Sequence, residues 1–243
     1  MSDLAPKPAA GSLYLIPTNL GEPFEASAIL PHAVIELTGK LGYFIAENPK
    51  TARYFLKTVG TQKPIQEIQI AQLNVNSSPT ILADLLAPIL AGQDAGLISE
   101  AGAPGVADPG ADLVALAHTR NVRVVPCVGP SAILLSLMAG GLNGQRFSFH
   151  GYLAQDKLQR QKQLQLLEFE SRRYRMTQLF IETPYRNDAM LADIITTLQP
   201  STRLSIACNL GCADEWVHTK EIAQWRKLAI TIGRKPTMFS FLA

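Results

Sequence analysis

Short, wholly apolar runs alternate with amphipathic stretches through the first half of the chain. Leu13–Ile16, closed by Pro17, predicts a first buried strand, and Tyr43–Ala46 a second. Between them, residues 25–41 carry Ile29, Ala33, Val34 and Leu37 at the spacing of one helix face, with Gly39 and Gly42 near the end. Thr51–Val59 predicts a helix stopped at Gly60. Ser77-Ser78-Pro79 is a helix-start signal, because a serine hydroxyl accepts a free N–H of the first turn and proline sacrifices no bond there. Ile81, Leu82, Leu85, Leu86 and Ile89 supply that helix's apolar face, with Pro88 expected to kink or shorten it. Gly96–Ser99 and Val122–Val128 predict strands, Ala111–His118 and Ser131–Ala139 helices.

Strands that are apolar throughout, alternating with helices, imply a mostly parallel sheet covered on both faces. Gly140, Gly141 and Gly144 mark a composition break, which sets an expected boundary between α/β domains at 1–145 and 146–243. The second half offers a run at Phe147–Leu153, a polar helix-forming stretch at Gln155–Arg175, and strands at Leu179–Ile181 and Leu204–Ala207 around a helix at Arg186–Leu198. Pro236–Leu242 reads as a closing strand. Trp216 and Trp225 fall in a helix-like segment and read as packing residues.

Charge changes this picture little. Twenty-two basic against twenty acidic residues leave a net charge of +2, so any nucleic-acid binding must rest on a local patch. One such patch is Lys157, Arg160, Lys162, Arg172, Arg173 and Arg175, set against Glu168 and Glu170. It reads either as an RNA-tracking face or as the solvated side of a helix. Three cysteines without repeated spacing argue against a disulfide framework, and the Met1–Ala10 segment has no secretion-signal core. No apolar run approaches bilayer-spanning length. A cytosolic protein without a membrane partner is expected.

Two loops carry candidate chemistry. The first, Ser99–Gly110 (S-E-A-G-A-P-G-V-A-D-P-G), follows a strand, the edge at which ligands bind open α/β sheets. Gly102 and Gly105 let a ligand approach the backbone, while Asp108 is expected to N-cap a helix with Pro109 as its first residue. The second, Val128-Gly129-Pro130-Ser131-Ala132, again joins strand to helix. No phosphate-binding P-loop, dinucleotide fingerprint, nucleophilic-serine elbow or metal-ligand set is present. The residues alone lead to an α/β protein with a ligand cleft.

These loops, in order with L-Y-L-I-P-T-N-L-G-E (13–22), A-E-N-P-K-T-A-R (46–53), F-H-G-Y-L (149–153) and I-E-T-P-Y-R (181–186), resemble the tetrapyrrole-methylase superfamily. The branch most similar is the bacterial ribosomal RNA ribose 2′-O-methyltransferases acting on cytidine of the small subunit. The resemblance implies two α/β domains, commonly a homodimer, with S-adenosylmethionine held in a cleft between the domains and no metal. It implies donor contacts from Pro17, Thr18, Ala101, Gly102, Ala103, Val106, Asp108, Ser131 and Ala132, and from Glu182, Thr183 and Pro236 in the second domain. The chain departs from that branch at Glu100 and Ala103 (Asp and Thr there), at Asn48-Pro49 (Asp-Thr), at Ala71–Asn74 (a histidine-rich strand end) and at Ala207–Cys212, where charged residues are lost. The resemblance further implies a C-terminal extension in that branch that this chain is expected to lack.

A ribose hydroxyl is a weak acid, so a carboxylate base helps its attack. Glu47, Glu100 and Glu182 are the candidate bases, and Arg53 and Arg186 candidate substrate ligands that are alternatively ion-pair partners of Glu47 and Glu182. Methylation of ribosomal RNA is expected. A small planar acceptor and a donor-binding protein without catalysis are the alternatives.

Overall fold

The computed structural model describes residues 10–74 and 76–243. Apart from Ala10, the Met1–Ala10 segment lies outside the described residues. Two compact units divide at Ser131/Ala132.

The first unit runs β1 (Ser12–Ile16), α1 (Ala26–Ile29), α2 (His32–Lys40), β2 (Tyr43–Ala46), α3 (Pro49–Val59), β3 (Gln69–Gln72), α4 (Pro79–Leu90), β4 (Ala95–Ile98), α5 (Gly110–Thr119) and β5 (Arg123–Pro126). Its sheet has the order β3-β2-β4-β1-β5, and every pairing is parallel. All residues of β2 and β4 are buried, as continuous apolar runs require of central strands covered on both faces. Phe44, Phe55 and Leu56 fill one face and Tyr43, Leu86 and Ile89 the other. Burying a large apolar side chain completely contributes about 1.5–3 kcal/mol.

The second unit runs α6 (Ala132–Gly140), β6 (Phe147–Tyr152), α7 (Lys157–Tyr174), β7 (Thr177–Glu182), α8 (Asn187–Thr197), β8 (Arg203–Cys208), β9 (Trp216–Glu221), α9 (Ile222–Trp225) and β10 (Thr237–Leu242). Its sheet, β6-β7-β10-β8-β9, is mixed: only β6–β7 is parallel. Phe180, Phe239 and Phe241 form its aromatic centre, with Phe180 and Phe239 stacked at 5.7 Å.

Several expectations shift. The stretch 25–41 is two helices, because Pro31 lacks the N–H to continue the first and instead caps the second. Pro88 stays inside α4, which ends two residues later. The strand expected over 122–128 is shorter; Pro126, lacking a donor, is tolerated because β5 is an edge strand. Edge strand β3 (Q-I-A-Q) has no apolar run to announce it. Trp216 belongs to strand β9 rather than a helix, and Trp225 is buried with its Nε1 donating to Leu204 O at 2.9 Å. The composition break at Gly140–Gly144 falls at the far end of α6, whereas the units divide at its start, because α6 lies against β8, β9 and β10. No described helix is long and apolar enough to cross a membrane.

Candidate functional site

Strand register brings the candidate loops of the first unit to one edge. Ile16 pairs with Ile98, and Ile98 with Ala46, so Pro17, Ser99 and Glu47 leave the sheet side by side. Leu15 pairs with Pro126, which puts the 127–131 loop beside them. In the order β3-β2-β4-β1-β5 the chain leaves β2 toward β3 and leaves β4 toward β5, in opposite directions. Such a switch point opens a crevice at the carboxyl ends of the strands.

The loops are joined to one another. Thr18, buried, donates its N–H to Gly102 O at 2.9 Å and accepts from Gly102 N at 3.3 Å. The Thr18 hydroxyl donates to Ser99 O at 3.3 Å, and the Ser99 hydroxyl to Gly102 O at 2.7 Å. Gly102 has φ +73°, and a Cβ there would lie 3.1 Å from Leu20 Cδ2, 3.5 Å from Pro130 O and 3.8 Å from Ser131 Cα. A Cβ at Gly129 would come within 2.6 Å of Pro17 Cβ. The loops after β1, β4 and β5 therefore meet with glycines at the points of contact.

Asp108 shapes the β4 loop. Its Oδ1 accepts from Gly105 N at 2.8 Å and Gly110 N at 2.7 Å, closing the turn over the start of α5. Pro109, not Asp108, occupies the cap position, so the expected capping frame is shifted by one residue. Ala107 sits in the left-handed region at φ 57°, a conformation that costs a side chain about 1–2 kcal/mol. Ala101 and Val106 are exposed and Ala103 and Ser131 half-buried, while Ala132 opens α6 in the second unit.

Glu47 is half-buried at the switch point. Burial, then the charges of Glu100 and Asp108, push its carboxyl above the usual range. It borders a cleft of about 360 Å³ shared with Asn74 and Asp112. Glu100 is exposed and accepts from the Thr51 hydroxyl at 2.6 Å, which links the β4 loop to α3. It borders a larger cleft of about 800 Å³ between the β1 loop, the start of α3 and Ser99–Ala101. Asn48 caps α3 by accepting from Lys50 N at 3.0 Å with Pro49 next, so this departure from the branch preserves a helix start. Arg53 is exposed, and its described hydrogen bond goes to Pro49 O at 3.4 Å; the described ion pairs do not join it to Glu47.

In the second unit Glu182 is buried and tied to Arg186, whose Nη2 donates to Oε1 and Oε2 at 2.7 Å each and whose Nε donates to Oε1 at 3.0 Å; Thr183 N donates to Oε1 at 2.6 Å. The ion-pair alternative for these two residues is the one observed. Thr237 pairs with both Glu182 and Cys208, so Thr183, Pro236 and Asn209 share one end of that sheet, and Asn209 N donates to Pro236 O at 2.8 Å. Of the basic helix, Arg160 is turned inward: Nε and Nη2 donate to Asp193 Oδ2 at 2.8 and 2.5 Å, and Nη1 to Ala154 O and Gln155 O. Glu168 is likewise buried, accepting from Gln199 N at 2.8 Å and from the Thr202 hydroxyl. Lys157, Lys162, Arg172, Arg173 and Arg175 remain exposed.

Glu22, Lys50, Thr51 and Tyr54 line the larger cleft without having been singled out from sequence. The one available signal was the α3 spacing, which sets Lys50 and Tyr54 on one face. Among the described residues no group of three or more His, Cys, Asp or Glu side chains is placed to hold a metal ion.

No protein-family model matches the chain. It is 33% identical over 204 residues to the ribosomal RNA small subunit methyltransferase I of Synechocystis sp., covering 82% of this chain and 67% of that one. Against the proteins of the same name from Xylella fastidiosa and Escherichia coli O157:H7 identity is 29% each, over 76% and 89% of this chain and 63% and 72% of theirs. The chain thus spans about two thirds of the length of these relatives, and less in the Xylella case. The crystal structure of the methyltransferase CobJ superposes with a TM-score of 0.60 at 14% identity, covering 95% of this chain and 94% of that one. That likeness establishes the two-domain α/β, tetrapyrrole-methylase-like fold. With a third of its aligned residues shared over most of its length, the chain belongs to the ribosomal RNA small subunit methyltransferase I family and is a methyltransferase.

Proposed function

We propose that the chain transfers a methyl group from S-adenosylmethionine to a ribose 2′-hydroxyl of small-subunit ribosomal RNA. The observation that carries this is the joined edge of the first unit, where Thr18, Gly102 and Pro130-Ser131 converge at the switch point, in a chain whose relatives bear that methyltransferase name. Ala101, Gly102 and Ala103 offer backbone with no side chain beyond Cβ, which fits close approach by a nucleoside. Pro17, Thr18, Val106, Ser131 and Ala132 complete the donor contacts of this proposal. Asp108 acts on the donor only through the loop it closes.

A sulfonium donor supplies an already activated methyl group, so the protein's work is alignment, water exclusion and proton removal. The ribose oxygen forms the new C–O bond as the C–S bond breaks with its electron pair passing to sulfur, and the hydroxyl proton goes to a carboxylate. Glu100 is the leading base because it is exposed beside Ala101 and its hydrogen bond from Thr51 orients it. Glu47 is the second candidate, and its raised affinity for protons suits that task. Glu182 and Arg186 hold one another in an ion pair, so in this reading they brace the end of β7 and the base is sought at Glu100 and Glu47. A homodimer fits the exposed Leu134 and Met138 of α6 and Phe147 and Tyr152 of edge strand β6, and we place the protein in the cytosol.

The test is transfer of labelled methyl from S-adenosylmethionine to unmodified small ribosomal subunits, naked ribosomal RNA and a small-molecule extract. Label in RNA at an alkali-resistant linkage supports the proposal. Label confined to the small-molecule fraction contradicts it.

A further inference from the structure

The cleft of about 800 Å³ in the first unit contains a fixed aromatic face that the donor loops do not use. Phe55, buried, stacks on Phe24 at 6.0 Å, and Phe24 meets Tyr54 edge-on at 6.4 Å. Tyr54 ends this ladder 53% exposed. It is nonetheless held: its hydroxyl lies 3.1 Å from Glu22 Oε2, and Glu22 Oε1 accepts from Asn19 Nδ2 at 2.9 Å. A half-exposed tyrosine clamped by a ring edge and a carboxylate has already lost its rotamer freedom, which suits it to stack a planar group. The same cleft is bordered by Ser99, Glu100 and Ala101, so it abuts the donor loop directly. Its charge is uneven: among the described residues that line it, Lys50 is the one cation, against Glu22 and Glu100. Carboxylates accept from sugar hydroxyls and base amino groups but repel phosphate, so the interior fits a nucleoside and the cation a single phosphate.

We propose that this cleft is the acceptor subsite, receiving one nucleotide turned out of the RNA, with its base on the Tyr54 ring, its phosphate at Lys50 and its ribose beside Glu100. Sequence-selective RNA recognition commonly takes unstacked bases onto aromatic side chains, and an enzyme acting on a nucleotide within a structured nucleic acid gains access by extruding it. The inference rests on the methyl transfer to RNA proposed above, and adds which residues select and seat the acceptor.

The experiment measures kcat and KM for unmodified small ribosomal subunits, and Kd for S-adenosylmethionine, in the full chain and its Y54A, Y54F and K50A forms, with melting temperatures recorded. Loss of base stacking on alanine substitution lowers affinity by about 5- to 150-fold. Y54A is expected to raise KM for subunits about tenfold or more and K50A severalfold, with donor Kd unchanged, while Y54F retains most of the wild-type KM. K50A, on an exposed lysine, keeps the test valid should Y54A fold poorly. Wild-type KM in both Y54A and K50A overturns the subsite while leaving methyl transfer standing, and so does an equal loss of donor affinity in Y54A. A wild-type chain that methylates no RNA overturns the parent proposal, and the subsite with it.

Discussion

Thr18 and Gly102 exchange backbone hydrogen bonds across two loops, at 2.9 and 3.3 Å, while Gly102 holds φ +73° with Leu20 and Pro130 against the place where a side chain would be. The loops after β1, β4 and β5 are thereby fixed at one residue that only glycine fills without strain. Gly102→Ala costs about 1–2 kcal/mol for the left-handed backbone, a fall in melting temperature of about 2–8 °C for a chain of this size. Because the shift falls on the donor loops, affinity for S-adenosylmethionine is expected to drop about tenfold, read by calorimetric titration beside thermal melting. A Gly102→Ala chain with wild-type affinity and stability contradicts the role given to this contact.

Glu100 is assigned the proton of the acceptor hydroxyl. General-base contributions are about 10²–10⁴-fold, so Glu100→Gln lowers kcat about 100-fold or more, with donor Kd unchanged. Single-turnover transfer to small ribosomal subunits reads this directly. An unchanged rate passes the role to Glu47.

Glu47 carries a stability signature of its own. Below the usual glutamate pKa, about 4.3, it is protonated in the folded and unfolded chains alike. Above that, the unfolded chain ionises first, because burial and the charges of Glu100 and Asp108 hold the folded carboxyl protonated longer, and stability is lost as pH rises through the raised value. Glu47→Gln is therefore expected to stabilise the chain slightly at neutral pH, the effect being weakened by solvent screening. The gain fades to nothing toward pH 4, and melting temperatures across that range check it.

Arg160 and Asp193 form a buried pair in the second unit, and removing Arg160 leaves the buried Asp193 carboxylate only the exposed Lys157, 3.9 Å away. Arg160→Met costs about 3–5 kcal/mol, whereas Lys162→Ala, on the exposed face of the same helix, changes stability by less than about 0.5 kcal/mol. Urea denaturation of the two variants separates them.

Tyr43 donates its hydroxyl to Leu85 O at 2.9 Å from within the core, and burial pushes its pKa up to about 12. Its contribution is full below pH 10 and is lost only as pH rises toward 12. Tyr43→Phe costs about 1 kcal/mol. In an ultraviolet titration of the folded chain the Tyr43 step comes last, after that of Tyr54, which the Glu22 carboxylate also raises, and this last step is absent from the variant.

The central elements were readable because their chemistry is local. Tyr43–Ala46 and Ala95–Ile98 are apolar at every position, and Ser78 and Pro79 cap α4 as their order predicts. Edge strand β3 is hidden in the sequence, since a strand half in solvent needs no apolar run, and β9 reads as helix-like because Trp216 packs from one side of a two-faced ribbon. At the site, the glycine loops were visible as motifs, but their meeting depends on parallel register between β1, β4 and β5, which no single segment encodes. The Tyr54 face was invisible for the same reason: its clamp joins Glu22 to α3 through a tertiary contact. Arg160 shows the converse, a cation in a polar helix that looks solvated by composition and is buried against a residue on the next helix.

The most direct test is calorimetric titration of the full chain with S-adenosylmethionine and with its demethylated product. Both are expected to bind at a single site, and Gly102→Ala to weaken both. Failure of either to bind the wild-type chain, with its fold intact by circular dichroism, contradicts that expectation.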